Sequence, residues 1–300
     1  AVTFTRKAAG ELRERFQIRL EERIRDEPAA GADGLERERL GAALDDIDRI
    51  FVGTIHAFCA RLLRERPLEV GLDPAFEELP VEERARVRRH FWEAYLERLV
   101  RDSAPILEEL SDAGLQPSRL WGLFNELVEN PDVEFPTEEA ERPRASELTE
   151  VKTELEELVD RGWELMPAHE PQRGWDSLQK KLRTLHFTRD VTGWKDLPEF
   201  FEALAALCKP GPRGHSITQN RWKDASLAKG LCDRVDGFGV GATTAHALVD
   251  RWYAHRYALA IRLALHAARD FAAYRKRTGR LDFQDLLVLT AELLRSNPRV

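Results

Sequence analysis

Hydroxyl, aromatic and basic side chains cluster at two places where a strand-like pattern changes into a helix-like one. They occur in the segments Val2-Thr3-Phe4-Thr5 and Thr54-Ile55-His56. A helix that starts after a strand presents free backbone N–H groups and the positive end of its dipole, which together favour phosphate. The threonine hydroxyls can add donors, Phe4 can pack against a base or sugar, and His56 can donate to a phosphate. The alternative for each segment is an ordinary core strand that enters a helix, and a lone histidine is more often structural.

Other side chains that could do chemistry have a structural interpretation. Asp282 and Asp285 could form a metal-binding or acid–base pair, but their spacing is that of a helix N-cap and its capping-box partner, which we favour. Trp222 lies between two basic residues and could stack on a base, although a half-buried tryptophan is the more ordinary interpretation. Phe58 and Cys59 are assigned to the core.

The glycines and cysteines indicate neither a cofactor loop nor a metal site. The run Gly237-Phe238-Gly239-Val240-Gly241 resembles a phosphate-binding loop, but no strand precedes it and no Lys-Ser/Thr pair follows, so we interpret it as a hinge or turn. The three cysteines, Cys59, Cys208 and Cys232, are far apart and form no CxxC pair, which argues against a zinc site or a disulfide framework. We expect buried or free thiols in a reducing cytosol, and therefore a cytoplasmic protein.

Charge is segregated along the 300 residues, whose formal net charge is −7. Residues 102–164 hold eighteen acidic and five basic side chains, whereas residues 251–280 hold eight basic side chains and one acidic one. A chain polarised in this way can bind a polyanion on one face and repel it from another. The basic stretch is either a solvated helix or a surface that tracks a nucleic-acid backbone and weakens with salt. No apolar run of membrane-spanning length occurs, so no membrane contact is expected.

The elements that would position the two threonine-containing segments form a βαβ pattern. Residues 1–5 alternate as a strand, and Thr5 is a plausible N-cap for the helix that follows. That helix repeats apolar residues every four positions, and a second helix is expected at 35–47. An apolar strand at 50–55 then leads into a third helix at 57–66, as in a parallel sheet. The apolar stripe of the first helix consists of Ala8, Leu12, Phe16, Leu20 and Ile24.

From Gly71 the pattern is helical. Periodicity predicts helices at 81–100, in two pieces over 104–129, and at 147–166, 197–208 and 243–277. The proline-containing segment 130–146 is expected to be a loop, and no strand is predicted between 71 and 280. The organisation is a small α/β piece, a large helical insertion and a short return. The first residues read as the middle of a strand with no initiator methionine, which predicts an excised segment or a truncated reading frame.

Three segments, in order, resemble motifs of the superfamily 1 helicases of the UvrD/Rep and RecB/AddA families. The run from Val2 to Arg15 looks like motif Ia, usually TFTNKAAxEMxxR, although Arg6 replaces the usual asparagine. The segment Thr54-Ile55-His56-Ala57-Phe58-Cys59 looks like motif Ib and is closer to the RecB/AddA branch. The segment Leu281-Asp282-Phe283-Gln284-Asp285-Leu286 resembles the LDFxDL element that precedes Walker B.

The resemblance implies an α/β P-loop NTPase fragment, part of a RecA-like subdomain, with a large, mainly α-helical insertion, so that the chain is predominantly α. It places the motor subdomain at 1–70 and 280–300 and the inserted subdomain at 71–279. No GxxxxGK(S/T) sequence and no Walker B pair occurs here. ATP and Mg²⁺ would therefore be used by the full-length parent, and this segment alone would bind neither and be inactive. By this resemblance, the DNA-binding residues are Thr3, Phe4, Thr5, Arg6, Lys7, Thr54 and His56.

Several functional interpretations remain open. The resemblance favours an AddA/RecB-like helicase–nuclease of double-strand break repair. Such a protein would bind single-stranded DNA and could associate with a subunit of the AddB/RecC kind. A UvrD/Rep-type repair helicase is the near alternative. A helical protein-interaction module that retains a degenerate motor remnant is an alternative from a different class.

Overall fold

The computed structural model describes residues 1–26, 34–208 and 215–297. The chain divides into two compact units, one formed by Ala1–Phe91 with Arg269–Val300 and the other by Trp92–Ala268. We call them unit 1 and unit 2. The expected division into a motor part at 1–70 and 280–300 and an insertion at 71–279 is a functional assignment and remains a prediction.

Unit 1 contains two small parallel sheets and the helices around them. Strand β1 (Val2–Thr3) pairs with β2 (Gly53–Thr54), and β3 (Glu77–Glu78) pairs with β4 (Arg280–Leu281). The helices are α1 (Arg6–Asp26), α2 (Gly34–Asp45), α3 (Ile55–Glu65), α4 (Pro67–Val70), the first part of α5 (Val81–Arg101) and α13 (Phe283–Ser296), with a 3-10 turn at Ile47–Arg49. The three helices predicted between residues 6 and 66 are therefore present.

The strands are the part of unit 1 that differs from expectation. The prediction of no strand between 71 and 280 was wrong, because β3 pairs with β4 across some 200 residues of chain. Its bonds run from the backbone N–H of Glu77 to the carbonyl of Gly279 and from Leu79 to Leu281, each at 2.7 Å. Two residues are too few to show alternation, so only the long-range pairing creates this strand. The predicted strand at 50–55 is also shorter, since α3 already begins at Ile55.

The core of unit 1 lies between α3 and α13. Its buried members come from α3, α4, the segment before β3, β4 and α13; they are Cys59, Ala60, Leu63, Val70, Leu72, Phe76, Leu281, Leu286, Leu289 and Leu293. The assignment of Cys59 to this core is confirmed, whereas Phe58 points outward and is 37% exposed. The apolar stripe of α1 is also largely outside the core, with Leu12 at 39% and Phe16 at 44% exposure.

Unit 2 is helical. It contains the end of α5, α6 (Pro105–Asp112), α7 (Trp121–Glu129), α8 (Ala145–Leu165), α9 (Ser177–Thr192), α10 (Leu197–Cys208), α11 (Ala225–Gly239) and most of α12 (Thr244–Thr278), with 3-10 turns at Pro117–Leu120 and Gln219–Arg221. The predicted helices at 81–100, 104–129, 147–166, 197–208 and 243–277 are confirmed, and most of 130–146 is a loop as expected. No helix in the described part of the chain is long and apolar enough to span a membrane.

The glycine-rich run at 237–241 was only partly a turn. Gly237 and Gly239 are among the last residues of α11, while Gly241 alone adopts a left-handed conformation, with φ of +86°. A Cβ added to Gly239 would lie 2.5 Å from the carbonyl oxygen of Leu207, so this glycine permits α11 to pack closely against α10. Close backbone approach, rather than a flexible loop, therefore explains this residue.

Trp222 and the cysteines have structural roles. Trp222 is buried, and its indole Nε1–H donates to Asp176 at 2.7 Å, so it cannot stack on a base. Asp176 also caps α9, accepting from the backbone N–H of Gln179 at 2.9 Å. All three cysteines are buried free thiols, as expected. Burial raises the pKa of the Cys232 thiol to about 11, which keeps it protonated and unreactive.

The basic stretch at 251–280 is divided between the two units. Four of its eight cations are in ion pairs with carboxylates. In unit 2, Arg251 pairs with Glu147 at 2.7 Å and Arg262 pairs with Glu109. In unit 1, Arg275 and Arg280 are paired in the same way. These ion pairs reduce the positive charge that the stretch could offer to a polyanion, and a backbone-tracking role for its other four cations stays a prediction.

Candidate nucleic-acid interface

A cavity of about 500 Å³ lies beyond the carboxyl ends of β1 and β2 in unit 1. This is the position at which ligands bind in open α/β sheets. Four of the seven predicted site residues line the cavity: Phe4, Arg6, Thr54 and His56. Thr3, Thr5 and Lys7 do not, although they lie on the same strand–helix junction. The two predicted segments are thus brought together, because β1 and β2 are parallel and in register at Thr3 and Thr54.

The threonine hydroxyls of the site are engaged in local capping. Thr5 Oγ1 accepts from the N–H of Ala8 at 3.1 Å, and Thr54 Oγ1 accepts from the N–H of Ala57 at 3.2 Å. Both are therefore N-caps, as the sequence predicted for Thr5. Thr3 Oγ1 donates to the carbonyl of Thr5 at 3.0 Å and so is not free to donate to a ligand. The caps at Thr5 and Thr54 each leave the hydroxyl hydrogen available to a phosphate.

Phe4 is the most exposed large apolar side chain of the described residues, at 93%. A phenyl ring directly after a strand gains nothing from packing in this position. It has instead an open face on which a base or sugar can stack, a contact worth roughly 1–3 kcal/mol per base. Phe4 therefore fits a stacking role better than a structural one.

Two arginines line the cavity. Arg6 lines it and makes no ion pair with any carboxylate in the described part of the chain. Arg13 lines it too and pairs with the exposed Asp48 at 2.8 Å. One acidic side chain, Glu78 of β3, is in the same lining. Lys7, whose side chain is 88% exposed, lies 3.9 Å from a glutamate one helical turn later. The excess of exposed cations favours an anionic ligand such as a phosphate backbone.

Phe283 belongs to the cavity and was not predicted as a site residue. Its ring centroid lies 4.7 Å from that of His56, with an interplanar angle of 40°. The guanidinium of Arg84 lies 4.4 Å from the Phe283 ring, in cation–π geometry. His56 is thus held against an aromatic ring. The sequence signal was the phenylalanine between the two aspartates, which only the folding of α13 onto α3 brings to His56.

The N-terminus of α13 is fixed by a buried ionic cluster. The Asp282 carboxylate accepts from the backbone N–H of Asp285, and the Asp285 carboxylate accepts from the backbone N–H of Asp282. This reciprocal pair confirms the capping-box interpretation. Arg275, 6% exposed, donates to Asp282 at 3.0 Å and to Asp285 at 2.7 Å. Burial, opposed by Arg275 and assisted by the neighbouring Asp282, raises the pKa of Asp285 to about 6. Because Phe283 lies between the two aspartates, this cluster sets where its ring is placed.

Comparison with known proteins assigns the chain to a family. The UvrD/REP helicase N-terminal domain matches residues 1–300. An ATP-dependent helicase/nuclease subunit of Pelotomaculum thermopropionicum is 38% identical over 97 residues, which are 32% of this chain and 7% of that protein. The proteins of the same name from Desulforamulus reducens and Lactobacillus johnsonii are 33% and 30% identical over 42% and 44% of this chain.

The chain spans only a small share of those relatives, between 7% and 11% of their length. Nevertheless, the family match runs over the whole chain. The cavity at the ends of β1 and β2 is built from the two segments that resemble helicase motifs. The resemblance seen in the sequence is therefore confirmed, and this chain belongs to the UvrD/REP helicase N-terminal domain family.

Proposed function

We propose that the chain is the DNA-contacting part of an ATP-dependent DNA helicase of the AddA/RecB kind. The observation that carries this proposal is the cavity at the carboxyl ends of two parallel strands, where an almost fully exposed Phe4 stands beside cations and His56. The cavity would hold single-stranded DNA, with Phe4 stacking on a base and the helix N-termini of α1 and α3 facing phosphates. Thr3, Thr5 and Lys7 would support the strand–helix junction.

The nucleotide site is assigned to other parts of a longer parent polypeptide. The residues present do not fit ATP, because the chain has no GxxxxGK(S/T) loop to hold the phosphates. ATP and Mg²⁺ would bind in the parent, and motion along DNA would be driven there. Residues 1–70 and 280–300 would correspond to part of a RecA-like P-loop NTPase subdomain, with the insertion at 71–279 as the second subdomain.

The AddA/RecB branch is favoured over UvrD/Rep because the similar proteins are helicase/nuclease subunits. A protein that is named as one subunit implies another, which supports an AddB/RecC-like companion for the parent. A cytoplasmic location fits the three buried free thiols. The helical interaction module is the less favoured alternative, since it leaves the exposed Phe4 and its neighbouring cations unexplained.

The test is binding of labelled oligo-dT to the full parent polypeptide, measured by fluorescence anisotropy without nucleotide. We expect Phe4→Ala to raise the dissociation constant about 5- to 150-fold, which corresponds to one lost stacking contact. For the unchanged protein, the logarithm of the association constant should fall linearly with the logarithm of the salt concentration. His56→Ala should also raise the dissociation constant.

Matched controls come from the same unit. Phe16→Ala removes another exposed phenylalanine, at 44%, that does not line the cavity, and His90→Ala removes an exposed histidine of α5. Both controls should leave oligo-dT affinity unchanged. Equal losses for Phe4→Ala and Phe16→Ala, or salt-independent binding, would contradict the proposal and favour the interaction module.

A further inference from the structure

Helix α9 of unit 2 carries an exposed row that the proposed DNA site does not use. Arg183, Phe187 and Val191 follow one another at a spacing of four residues and so lie on one helix face. Phe187 is 49% and Val191 is 85% exposed. Trp163 of α8 extends the row, meeting Phe187 edge-on at 5.4 Å, and is itself 36% exposed. Contiguous large apolar side chains on a surface mark an interaction site more often than scattered ones do.

Arg183 at the end of the row contacts three aromatic rings and no carboxylate of the described residues. Its guanidinium lies 4.2 Å from the Trp175 ring and between 5.4 and 5.5 Å from the rings of Phe187 and Trp163. It makes no ion pair with a carboxylate among residues 1–26, 34–208 and 215–297. Aromatic contacts on several sides lower the entropy lost when a partner binds it. Arginine, tryptophan and phenylalanine together are the residues that protein interfaces enrich at their centre.

The next face of α9 borders a groove of about 340 Å³. Its floor is apolar and includes Leu185 and Ala203, while Glu199 and Glu202 of α10 stand on its rim. Neither glutamate is in an ion pair with a described residue. The groove therefore offers room for an apolar side chain and two carboxylates for a basic one.

Net charge decides which class of partner fits. Unit 2 has 30 acidic and 22 basic residues, whereas unit 1 has 23 and 24, so the chain's negative charge is concentrated in unit 2. A polyanion would be repelled from this unit as a whole. A protein with apolar side chains flanked by basic ones is complementary to the α9 face.

We infer that this surface, which consists of Trp163, Arg183, Phe187, Val191 and the groove rimmed by Glu199 and Glu202, is a protein docking site. Its occupant is the companion protein of the parent helicase, through a patch of apolar residues bordered by lysine or arginine. This inference rests on the proposed function, because it takes the companion from there.

The experiment measures the affinity of the full parent polypeptide for its separately purified companion by biolayer interferometry. Val191→Glu adds a charge at an exposed position without removing core packing and should raise the dissociation constant at least about tenfold. Glu202→Lys reverses a rim charge and should weaken binding in a salt-dependent way. The matched controls, Val100→Glu and Glu93→Lys, change exposed residues of α5 in the same unit and should leave the affinity within about twofold.

Oligo-dT binding of each variant is measured in parallel. Weakened companion binding by Val191→Glu and Glu202→Lys, with unchanged oligo-dT binding, is the expected result. Companion binding that does not change in either variant, or a parent that binds no companion, overturns the docking site. Loss of oligo-dT affinity in Val191→Glu also overturns it, since the face would then bind nucleic acid. Failure of the proposed function would instead appear as unchanged oligo-dT binding in Phe4→Ala.

Discussion

Replacing Arg275 by methionine should destabilise the protein strongly, because Arg275 is the cation that contacts both buried carboxylates at the start of α13. The side chains of Asp282 and Asp285 are 14% and 13% exposed, and that of Arg275 is 7% exposed. Breaking a buried ion pair by removing one partner costs about 3–5 kcal/mol, because the other charge stays buried. We expect a loss of unfolding free energy in this range near neutral pH.

The loss should depend on pH. The pKa of Asp285 is raised to about 6 in the folded protein, so the stability linked to its protonation is fully present below its ordinary value of 3.8 and is lost as pH rises through about 6. Without Arg275 the pKa of Asp285 moves higher still, since Arg275 contributes most to lowering it. Arg275→Met should therefore cost more at pH 8 than at pH 5, where protonation removes one buried charge.

Urea unfolding followed by circular dichroism at both pH values measures the effect. Arg280→Met is the matched control, because its ion pair with Glu83 at 2.6 Å is 41% exposed on the arginine side and should contribute only about 0–1 kcal/mol. The double variant Arg275→Met with Asp285→Asn should recover part of the loss. A cost below about 1 kcal/mol, or one that does not change between pH 5 and pH 8, would refute the reasoning that the cluster is buried and ionic.

Unit 2 offers two further tests. Gly239→Ala places a Cβ 2.5 Å from the Leu207 carbonyl oxygen and should lower the unfolding free energy by about 1–3 kcal/mol. The control Gly230→Ala lies in the same helix, meets nothing within 4 Å and should raise the unfolding free energy by about 0.5–1 kcal/mol. Thermal unfolding compares the two variants, and equal effects would contradict the close approach of α11 to α10. Arg251 lowers the pKa of Glu147 to about 2, so the stability that this ion pair contributes is present above pH 4.5 and is lost as pH falls toward 2. In Glu147→Gln the unfolding free energy should fall less steeply between pH 4.5 and pH 2, and an unchanged pH dependence would argue against the pair.

The sequence was informative wherever structure follows from local spacing. Apolar residues at intervals of three and four predicted α5, α8, α10 and α12, because each helix needs only one buried face to be recognisable. Helices α9 and α11 were not predicted. Thr5, Asp282 and Asp285 were identified as caps, since capping depends on residues three positions apart. The motif order was likewise a property of the chain itself, and it was sufficient to recognise the family.

Contacts between distant segments were decided by the tertiary structure. Strand β3 exists because Glu77 and Leu79 pair with β4, and nothing in its own two residues specifies that partner. Phe283 joined His56 because α13 packs on α3. Three basic residues of α12, Arg251, Arg262 and Arg275, are paired with acids from other elements, which the local charge pattern could not show.

The two threonine-containing segments show the division most clearly. Their residue types and positions after strands were sufficient to predict a phosphate-binding junction at Phe4 and His56. Which side chains share the cavity was settled by the parallel register of β1 and β2, together with the ionic cluster around Arg275 that fixes α13. Local spacing determines helices and caps because their bonds are short-range, whereas a site built from three segments requires the long-range packing that brings them together.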